Sequence, residues 1–287
     1  MNIIATPSST KEILDRFGFS FKKKFGQNFL IDENVVRKIV RISGVTVDDT
    51  VLEIGPGIGT MTQILAEEAG NVLAVEIDTK LIPVLEFTLA DCPNVTVINN
   101  DILKCNLKEL SDSYNSEKPF KVVANLPYYI TTPIIMGLLE ENAVQNKKLL
   151  SSITVMIQKE VAERITATPG TKEYGVLSLA VEYYTKPSFL MNVPANVFMP
   201  RPGVDSAVIG LEILKEPPVD VKDEKKLFRL IKAAFAQRRK TFINSVSGVL
   251  NVDKSVLRDA LAAIDRGESV RGEVLTLEEF AKLSDFI

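Results

Sequence analysis

Between residues 51 and 158, short apolar runs alternate with segments of helical periodicity. The five runs are rich in β-branched residues: VLEI (51–54), NVLAVEI (71–77), NVTVINND (94–101), FKVVAN (120–125) and SSITVMIQ (151–158). Strands that are apolar along their whole length and separated by helices form a parallel sheet that is covered on both faces. We therefore expect an α/β fold, a Rossmann-like sheet with helices on both faces.

Two more strand-like runs follow, PSFLMNVP (187–194) and SAVIGLEIL (206–214), which we expect to form a hairpin at the sheet edge. Beyond the proline-rich linker EPPVD (216–220), the sequence indicates only short helices. The chain is thus predicted to have a large domain over residues 1–215 and a small all-α domain over residues 216–287.

The composition excludes several kinds of chemistry. The 287 residues include no histidine, which rules out Ser-His-Asp and Cys-His nucleophiles and His-rich zinc sites. Cys92 and Cys105 lack CxxC spacing, so we predict neither a redox pair nor a metal site. The N-terminus does not resemble a signal peptide, and no apolar stretch approaches the roughly 20 residues that span a membrane. We expect a cytoplasmic protein, without a membrane segment, that is a monomer.

Charge is distributed unevenly along the chain. The net charge of −3 argues by itself against a nucleic-acid partner. However, the segment KKLFRLIKAAFAQRRK (225–240) has seven basic residues and no acidic one, and Lys22, Lys23 and Lys24 form a shorter basic run. Most charge runs are solvated helix faces, so these two segments indicate a nucleic-acid partner only together with other features.

The turn after the first strand, EIGPGIG (53–59), is rich in glycine and opens a helix. Glycines there let a ligand approach the backbone. The second strand ends at Glu76, 21 positions after Gly55, where a carboxylate can accept both hydroxyl hydrogens of a ribose. Asp101 ends the third strand and can accept a hydrogen bond from an adenine amino group. The dinucleotide fingerprint GxGxxG is not matched, since Thr60 replaces its third glycine, and the pattern is similar to that of S-adenosylmethionine methyltransferases.

The fourth strand ends in Asn125-Leu126-Pro127-Tyr128. An exocyclic amine on a base is a poor nucleophile because its lone pair is delocalised into the ring. Two acceptors, the Asn125 side-chain carbonyl and the Leu126 backbone carbonyl, can hold its two N–H bonds and favour a tetrahedral nitrogen. Pro127 restricts the preceding residue, and Tyr128 offers a face for stacking the base and steadying its developing positive charge. Methyl transfer to such an amine needs no general base, so the missing histidine is no obstacle.

Together these motifs resemble the ribosomal RNA adenine N6-dimethyltransferase family over about residues 22–242. The matching segments are KKKFGQNFL (22–30), EIGPGIGTMT (53–62), VEID (75–78), NND (99–101), NLPYYIT (125–131), VFMPRPGVDSAV (197–208) and FAQRRKTF (235–242). The resemblance implies S-adenosyl-L-methionine as cofactor. It also implies a substrate, two adjacent adenosines in a hairpin loop near the 3′ end of small-subunit (16S) rRNA, each of which receives two methyl groups during ribosome biogenesis.

The resemblance also implies roles for individual residues. The implied cofactor-binding residues are Asn28, Leu30, Gly55, Gly57, Glu76, Ile77, Asp101, Ile102 and Asn125. The implied catalytic residues are Asn125, Leu126, Pro127, Tyr128 and Phe198. Phe198 would sandwich the flipped adenine against Tyr128, although an ordinary core phenylalanine is the competing interpretation. The implied RNA-binding residues are Arg238, Arg239 and Lys240 together with Lys22, Lys23 and Lys24.

Three alternatives stay open. The first is a large-subunit rRNA adenine methyltransferase, because Asn28 stands where many family members have histidine and the asparagine form also occurs in that branch. The leucine of NLPY, the VFMPRPGVDSAV segment and FAQRRKTF favour the small-subunit branch. The second alternative is a NAD-dependent oxidoreductase, which the glycine spacing disfavours. The third is a non-catalytic RNA-binding assembly factor, which the intact Asn125–Tyr128 motif disfavours.

Overall fold

The computed structural model describes residues 3–19, 26–114, 118–145 and 148–287. The chain divides into two compact units, of which the first comprises Met1–Ala162 and Ser188–Ile213. The second comprises Glu163–Pro187 and Leu214–Ile287. The predicted small domain lies within the second unit, which also contains a segment, 163–187, that the predicted boundary at 215/216 assigns to the large domain.

The described strands are, in chain order, β1 (Phe29–Leu30), β2 (Thr50–Ile54), β3 (Asn71–Glu76), β4 (Val95–Asn99), β5 (Phe120–Asn125), β6 (Leu150–Gln158), β7 (Thr185–Val193), β8 (Phe198–Met199) and β9 (Ser206–Ile213). The main sheet has the order β4-β3-β2-β5-β6-β9-β7, and β1 pairs with β8 in a separate two-stranded sheet. Strands β2 to β6 are parallel to one another, whereas β9 is antiparallel to β6. This arrangement confirms the predicted α/β sheet.

The order of the sheet reverses between β2 and β5. Strands β3 and β4 extend from β2 in one direction, and β5 and β6 extend in the other. All five residues of β2 are buried, and β5 is buried at four of its six positions, as expected for central strands covered on both faces. A crevice at the carboxyl ends of the strands at such a reversal is the usual ligand site of an open α/β sheet.

The helices of the first unit are α1 (Pro7–Arg16), α2 (Glu33–Ile42), α3 (Thr60–Glu68), α4 (Ile82–Thr88), α5 (Leu107–Tyr114) and α6 (Thr131–Ala143); α7 (Lys159–Ile165) runs on into the second unit. Thr10 has a residue type that often caps helices, but it lies within α1 and not at its start. Thr6 caps α1 by accepting from Ser9 N–H at 3.1 Å. Pro7 occupies the first turn, where no hydrogen-bond donor is needed, and Thr10 is buried within the helix.

The described part of the second unit is mainly helical. Besides the end of α7 and the start of β7, it contains α8 (Val176–Tyr184), α9 (Glu224–Phe235), α10 (Phe242–Leu250), α11 (Lys254–Ala262) and α12 (Leu277–Phe286). Its core brings Tyr174 and Leu179 from the 163–187 segment together with Leu227, Phe242 and Phe280. These contacts explain why that segment belongs with the C-terminal helices. No helix among the residues described is both long and apolar enough to cross a membrane.

Candidate active site

A cleft in the first unit lies at the carboxyl ends of β2, β3 and β5, and it contains two adjoining cavities. The first cavity is lined by residues that include Asn28, Leu30, Glu53, Gly55, Gly57, Glu76, Ile77, Asn125, Leu126, Pro127 and Tyr128. The second is lined by residues that include Gly55, Ile77, Asp101, Ile102, Leu103, Pro127 and Tyr129. All predicted cofactor-binding residues therefore line this cleft, as do the four residues of the NLPY motif.

The glycine loop forms one wall of the first cavity. Gly55, Gly57 and Gly59 have φ angles of 69°, 64° and 89°, in the left-handed region that side chains rarely adopt. A Cβ on Gly57 would lie 2.8 Å from a ring carbon of Phe29, so this position also lacks room for a side chain. The loop thus brings bare backbone to the cavity and turns directly into α3.

Glu76 is held in place by the loop that it faces. Its Oε2 accepts from Gly57 N–H at 3.2 Å, and its Oε1 accepts from Asp78 N–H at 2.7 Å. The side chain is almost fully buried, and burial raises its pKa to about 7. Each carboxylate oxygen can accept a second hydrogen bond, so the pair of oxygens can still bind a diol.

Glu53, at the end of β2, is a second buried acid in the first cavity. Burial raises its pKa to about 8, and the carboxylate of Glu76 acts in the same direction. Within the described part of the chain, Glu53 Oε2 and the hydroxyl of Thr60, which also lines this cavity, have no hydrogen-bond partner. The site thus contains polar atoms that its own residues leave unsatisfied, which is costly unless a ligand or water pairs with them.

The second cavity is more apolar. Asp101 caps the short 3₁₀ helix Ile102–Lys104, and its Oδ1 accepts from Leu103 N–H at 3.1 Å. The other carboxylate oxygen is available for a ligand, and the neighbouring side chains of Ile77 and Leu103 are 46% and 47% exposed. A slot with apolar walls and one acid suits a flat heterocycle that carries an amino group.

Asn125 is oriented by a contact with another part of the site. Its Nδ2 donates to the backbone carbonyl of Asn28 at 3.0 Å, which leaves Oδ1 as the amide atom able to accept from a ligand. Leu126 N–H donates to the Met156 carbonyl at 3.1 Å and anchors the turn to β6. The Pro127 carbonyl accepts from Ile130 N–H at 3.2 Å. The end of β5 is therefore a fixed turn.

Tyr128 is fixed by its hydroxyl, which lies 2.7 Å from Ser206 Oγ at the start of β9. Burial is the main cause that raises the pKa of Tyr128, and the charge of Asp205 adds to it. The phenol is therefore neutral at physiological pH, and the ring is held at the wall of the first cavity.

Phe198 lies apart from the NLPY residues. It is 3% exposed, pairs with Leu30 across the β1–β8 ladder, and belongs to an apolar core with Val36 and Val208. It lines neither of the two cavities. The structure therefore does not bring Phe198 and Tyr128 together around an open slot.

The predicted basic segment lies in the second unit. Helix α9 buries Leu227, Leu230 and Ile231, and its basic residues Lys225, Lys226, Arg229 and Lys232 are exposed. Arg238 donates to the backbone carbonyls of Lys172 and Tyr174 and approaches Glu273 at 3.9 Å. Arg239 and Lys240 are exposed. Lys22, Lys23 and Lys24 lie outside the described residues.

The structure also adds residues that the sequence did not suggest. Gln27 lines the first cavity and donates from Nε2 to Asp78 Oδ2 at 3.1 Å, and Tyr129 lines both cavities. The sequence could have indicated Tyr129, because this residue directly follows the NLPY motif. It could not have indicated Gln27, because the hydrogen-bond partner of Gln27 is 51 positions away.

Comparison with known proteins identifies the class of enzyme that this cleft belongs to. The sequence model of the family described as ribosomal RNA adenine dimethylase matches residues 18–277. The chain belongs to this family and is a methyltransferase.

Among similar proteins is ribosomal RNA small subunit methyltransferase A of Lachnoclostridium phytofermentans, which is 54% identical over 290 residues, 100% of this chain and 98% of the relative. A dimethyladenosine transferase from Plasmodium falciparum has a similar structure, with a TM-score of 0.73, 25% identity, and coverage of 89% of this chain and 95% of that one. The 23S rRNA methyltransferase ErmE gives a TM-score of 0.70 at 25% identity, over 90% of this chain and 98% of that one.

Proposed function

We propose that the protein uses S-adenosyl-L-methionine to dimethylate the N6 amines of two adjacent adenosines in the 3′-terminal hairpin loop of 16S rRNA. The observation that carries this proposal is the oriented amide of Asn125, 3.0 Å from the Asn28 carbonyl, in a cleft that also contains Glu76 and Asp101. The high identity to a relative named for the small subunit supports that substrate. Acting on small subunits would link the enzyme to ribosome biogenesis in the cytoplasm.

The residues of the cleft fit S-adenosyl-L-methionine. Glu76 would bind the ribose hydroxyls. The adenine ring would lie between Ile77 and Ile102, and Asp101 would accept a hydrogen bond from its amino group. A Cβ on Gly55 would meet no protein atom within 4 Å, so the bare backbone leaves open space beside the cavity at this position. The remaining contacts would come from Asn28, Leu30 and Asn125, which also line the first cavity. When bound, the cofactor supplies an electrophilic methyl group.

The NLPY turn would prepare the target amine. Asn125 Oδ1 and the Leu126 carbonyl would accept its two N–H bonds, which turns the nitrogen lone pair toward the methyl group. Asn28 keeps the Asn125 amide in the orientation that exposes the acceptor atom. The ring of Tyr128 would stack on the base and steady the positive charge that develops there. Alignment supplies most of the rate, and the methylated nitrogen loses its proton to water.

We propose that Phe198, which is buried in the free protein, leaves the core in the RNA complex and stacks on the flipped adenine opposite Tyr128. The bases of an RNA hairpin loop are unpaired. Turning such a base outward into an active site therefore costs little free energy. Arg239 and Lys240 are the leading candidates for phosphate contacts, because Arg238 is already bound to backbone carbonyls. We assign the second unit to RNA binding on the exposed basic face of α9.

The proposal is tested by transfer of labelled methyl groups from S-adenosyl-L-methionine to undermethylated small subunits, followed by mapping of the modified bases. Two neighbouring dimethyladenosines near the 3′ end, absent with Asn125→Ala, are expected. Transfer to large-subunit RNA instead would move the enzyme to the other branch of the family. Binding of the cofactor without transfer to either RNA would support a non-catalytic assembly factor.

A further inference from the structure

Tyr129 is an exposed aromatic residue at the boundary between the two cavities. The turn that carries it is closed by two hydrogen bonds to the Pro127 carbonyl, from Ile130 N–H at 3.2 Å and from Thr131 Oγ1 at 3.0 Å. Strand β5 ends just before this turn, and α6 begins just after it. The backbone of Tyr129 is therefore fixed by regular structure on both sides.

The side chain of Tyr129 leaves apolar surface in contact with solvent. It is 57% exposed, and it lines both cavities together with Gly55, Ile77 and Pro127. Ile77 is itself 46% exposed. Two exposed apolar side chains at the junction of one cleft gain free energy when a flat ligand covers them. Tyr128 differs, because its hydroxyl is bound to Ser206 and it lines only the first cavity.

The surroundings of the Tyr129 ring connect the two halves of the cleft. Burial raises the pKa of its hydroxyl, and the charges of Asp101 and Glu76 raise it further, so the phenol is neutral and lies near both acids. On another side, a Cβ on Gly26 would be 3.4 Å from Tyr129 Cδ1. The ring thus packs against the segment whose Asn28 carbonyl orients Asn125.

We propose that Tyr129 binds the cofactor directly by covering its nucleoside, with its ring over the junction of ribose and adenine. This inference rests on the proposed function, because it assumes that the cleft holds S-adenosyl-L-methionine. The flat ring supplies the contact, and the hydroxyl is dispensable. By covering the nucleoside, the ring retains the cofactor and keeps water from the cleft while the target amine is aligned.

The first experiment measures the affinity of Tyr129→Ala and Tyr129→Phe for S-adenosyl-L-methionine and for S-adenosylhomocysteine by calorimetry. Loss of one stacked ring should weaken both ligands about tenfold in Tyr129→Ala, whereas Tyr129→Phe should stay within about twofold. At saturating cofactor, Tyr129→Ala should recover most of its kcat, so the defect lies in KM. Tyr114→Ala, which removes another exposed tyrosine, at the end of α5, is the matched control and should bind normally.

A second variant keeps the inference testable if Tyr129→Ala folds poorly. The chain has no tryptophan, so Tyr129→Trp introduces the single indole of the protein. Its emission should shift when S-adenosylhomocysteine is added, because the ligand would cover the ring and remove water. The matched variant Tyr114→Trp should show no shift.

The outcomes separate this inference from the proposed function. Wild-type protein that binds no S-adenosyl-L-methionine would overturn both. Wild-type protein that binds it, with Tyr129→Ala equally tight and no emission shift in Tyr129→Trp, would overturn the role of Tyr129 alone. Weakened binding by Tyr129→Ala, normal binding by Tyr129→Phe and a shift in Tyr129→Trp would establish that role.

Discussion

The side-chain amide of Asn125 donates to the backbone carbonyl of Asn28 at 3.0 Å, although the two residues are 97 positions apart in the sequence. The contact joins the end of β5 to the segment just before β1. An asparagine amide can present either its oxygen or its nitrogen to a ligand, and this hydrogen bond settles which. The acceptor is the backbone of Asn28 and not its side chain. The proposed orientation of Asn125 therefore tolerates either asparagine or histidine at position 28.

Replacing Asn125 by alanine should strongly reduce kcat while leaving cofactor binding largely intact. Removing a preorganised hydrogen-bonding group from an active site typically costs about 100- to 1,000-fold in kcat. We expect a loss of that order in methyl transfer, with affinity for S-adenosyl-L-methionine reduced only a few-fold. Asn71→Ala is the matched control. Asn71 is the exposed first residue of β3, so it lies at the amino end of that strand, whereas the cleft lies at the carboxyl ends of the strands. A variant at position 125 that keeps a tenth of wild-type kcat would contradict the role of the amide.

Gly57→Ala should destabilise the free protein more than Gly55→Ala. Both glycines have a left-handed backbone conformation, which destabilises an alanine at the same position by about 1–2 kcal/mol. Only at Gly57 does the new Cβ also meet a ring, that of Phe29 at 2.8 Å, whereas nothing lies within 4 Å of a Cβ on Gly55. Thermal or urea unfolding without cofactor measures the difference. Equal loss of stability in the two variants would show that Phe29 moves aside at no cost.

Binding of adenosine should strengthen as the pH rises from 6 to 8. Burial raises the pKa of Glu76 to about 7, so the side chain is mostly protonated at pH 6 and mostly ionised at pH 8. Only the ionised form accepts from both ribose hydroxyls, so affinity should rise with pH, by at most about tenfold per unit, and level off above the pKa. Adenosine is the suitable ligand because it has no group that titrates in this range.

Two variants assign that pH dependence. Glu76→Gln should bind adenosine weakly and equally at pH 6 and pH 8. Glu53→Gln should keep the step near pH 7, which is the rise in affinity for adenosine with pH. It should do so although burial raises the pKa of Glu53 to about 8 in the same cavity. If Glu53→Gln removes the step and Glu76→Gln preserves it, the assignment of the ribose to Glu76 fails.

Replacing Arg238 should lower the stability of the protein, whereas replacing its neighbour Arg239 should weaken RNA binding. Arg238 binds the carbonyls of Lys172 and Tyr174, so Arg238→Ala should lower the stability of the protein by about 1 kcal/mol. Arg239→Ala should unfold normally but bind RNA more weakly, with the slope of log affinity against log salt reduced by about one. Lys240→Ala should match Arg239→Ala. Unfolding curves and RNA titrations at several salt concentrations provide the comparison, and a normal salt slope in both variants would remove these residues from the RNA interface.

The sequence was sufficient where the signal is local. The β-branched runs define the strands, and the ends of those strands place Glu76, Asp101 and Asn125 at one edge of a parallel sheet. Conformations that depend on distant partners could not be predicted in this way. Arg238 is engaged by carbonyls 64 and 66 positions earlier, and Phe198 is buried in an apolar core to which Leu30 and Val36 contribute.

The first helix shows the same limit on a smaller scale. Thr6 and Thr10 are both acceptable cap residues, and Pro7 favours the earlier start. Thr10 instead donates to the Ile4 carbonyl from within the helix. That hydrogen bond depends on a fold-back of the preceding chain, which periodicity alone does not encode.

The path of the chain between its two units has a consequence for how the protein is made. The polypeptide leaves the first unit after Ala162, returns at Ser188 and leaves again after Ile213. Strand β9, which lies between β6 and β7 in the sheet, is the last strand to be synthesised. A nascent chain therefore cannot complete its sheet until part of the helical unit has already been translated. Shortening the gene to the first 215 codons would leave Tyr174 and Leu179 without the C-terminal helices that bury them.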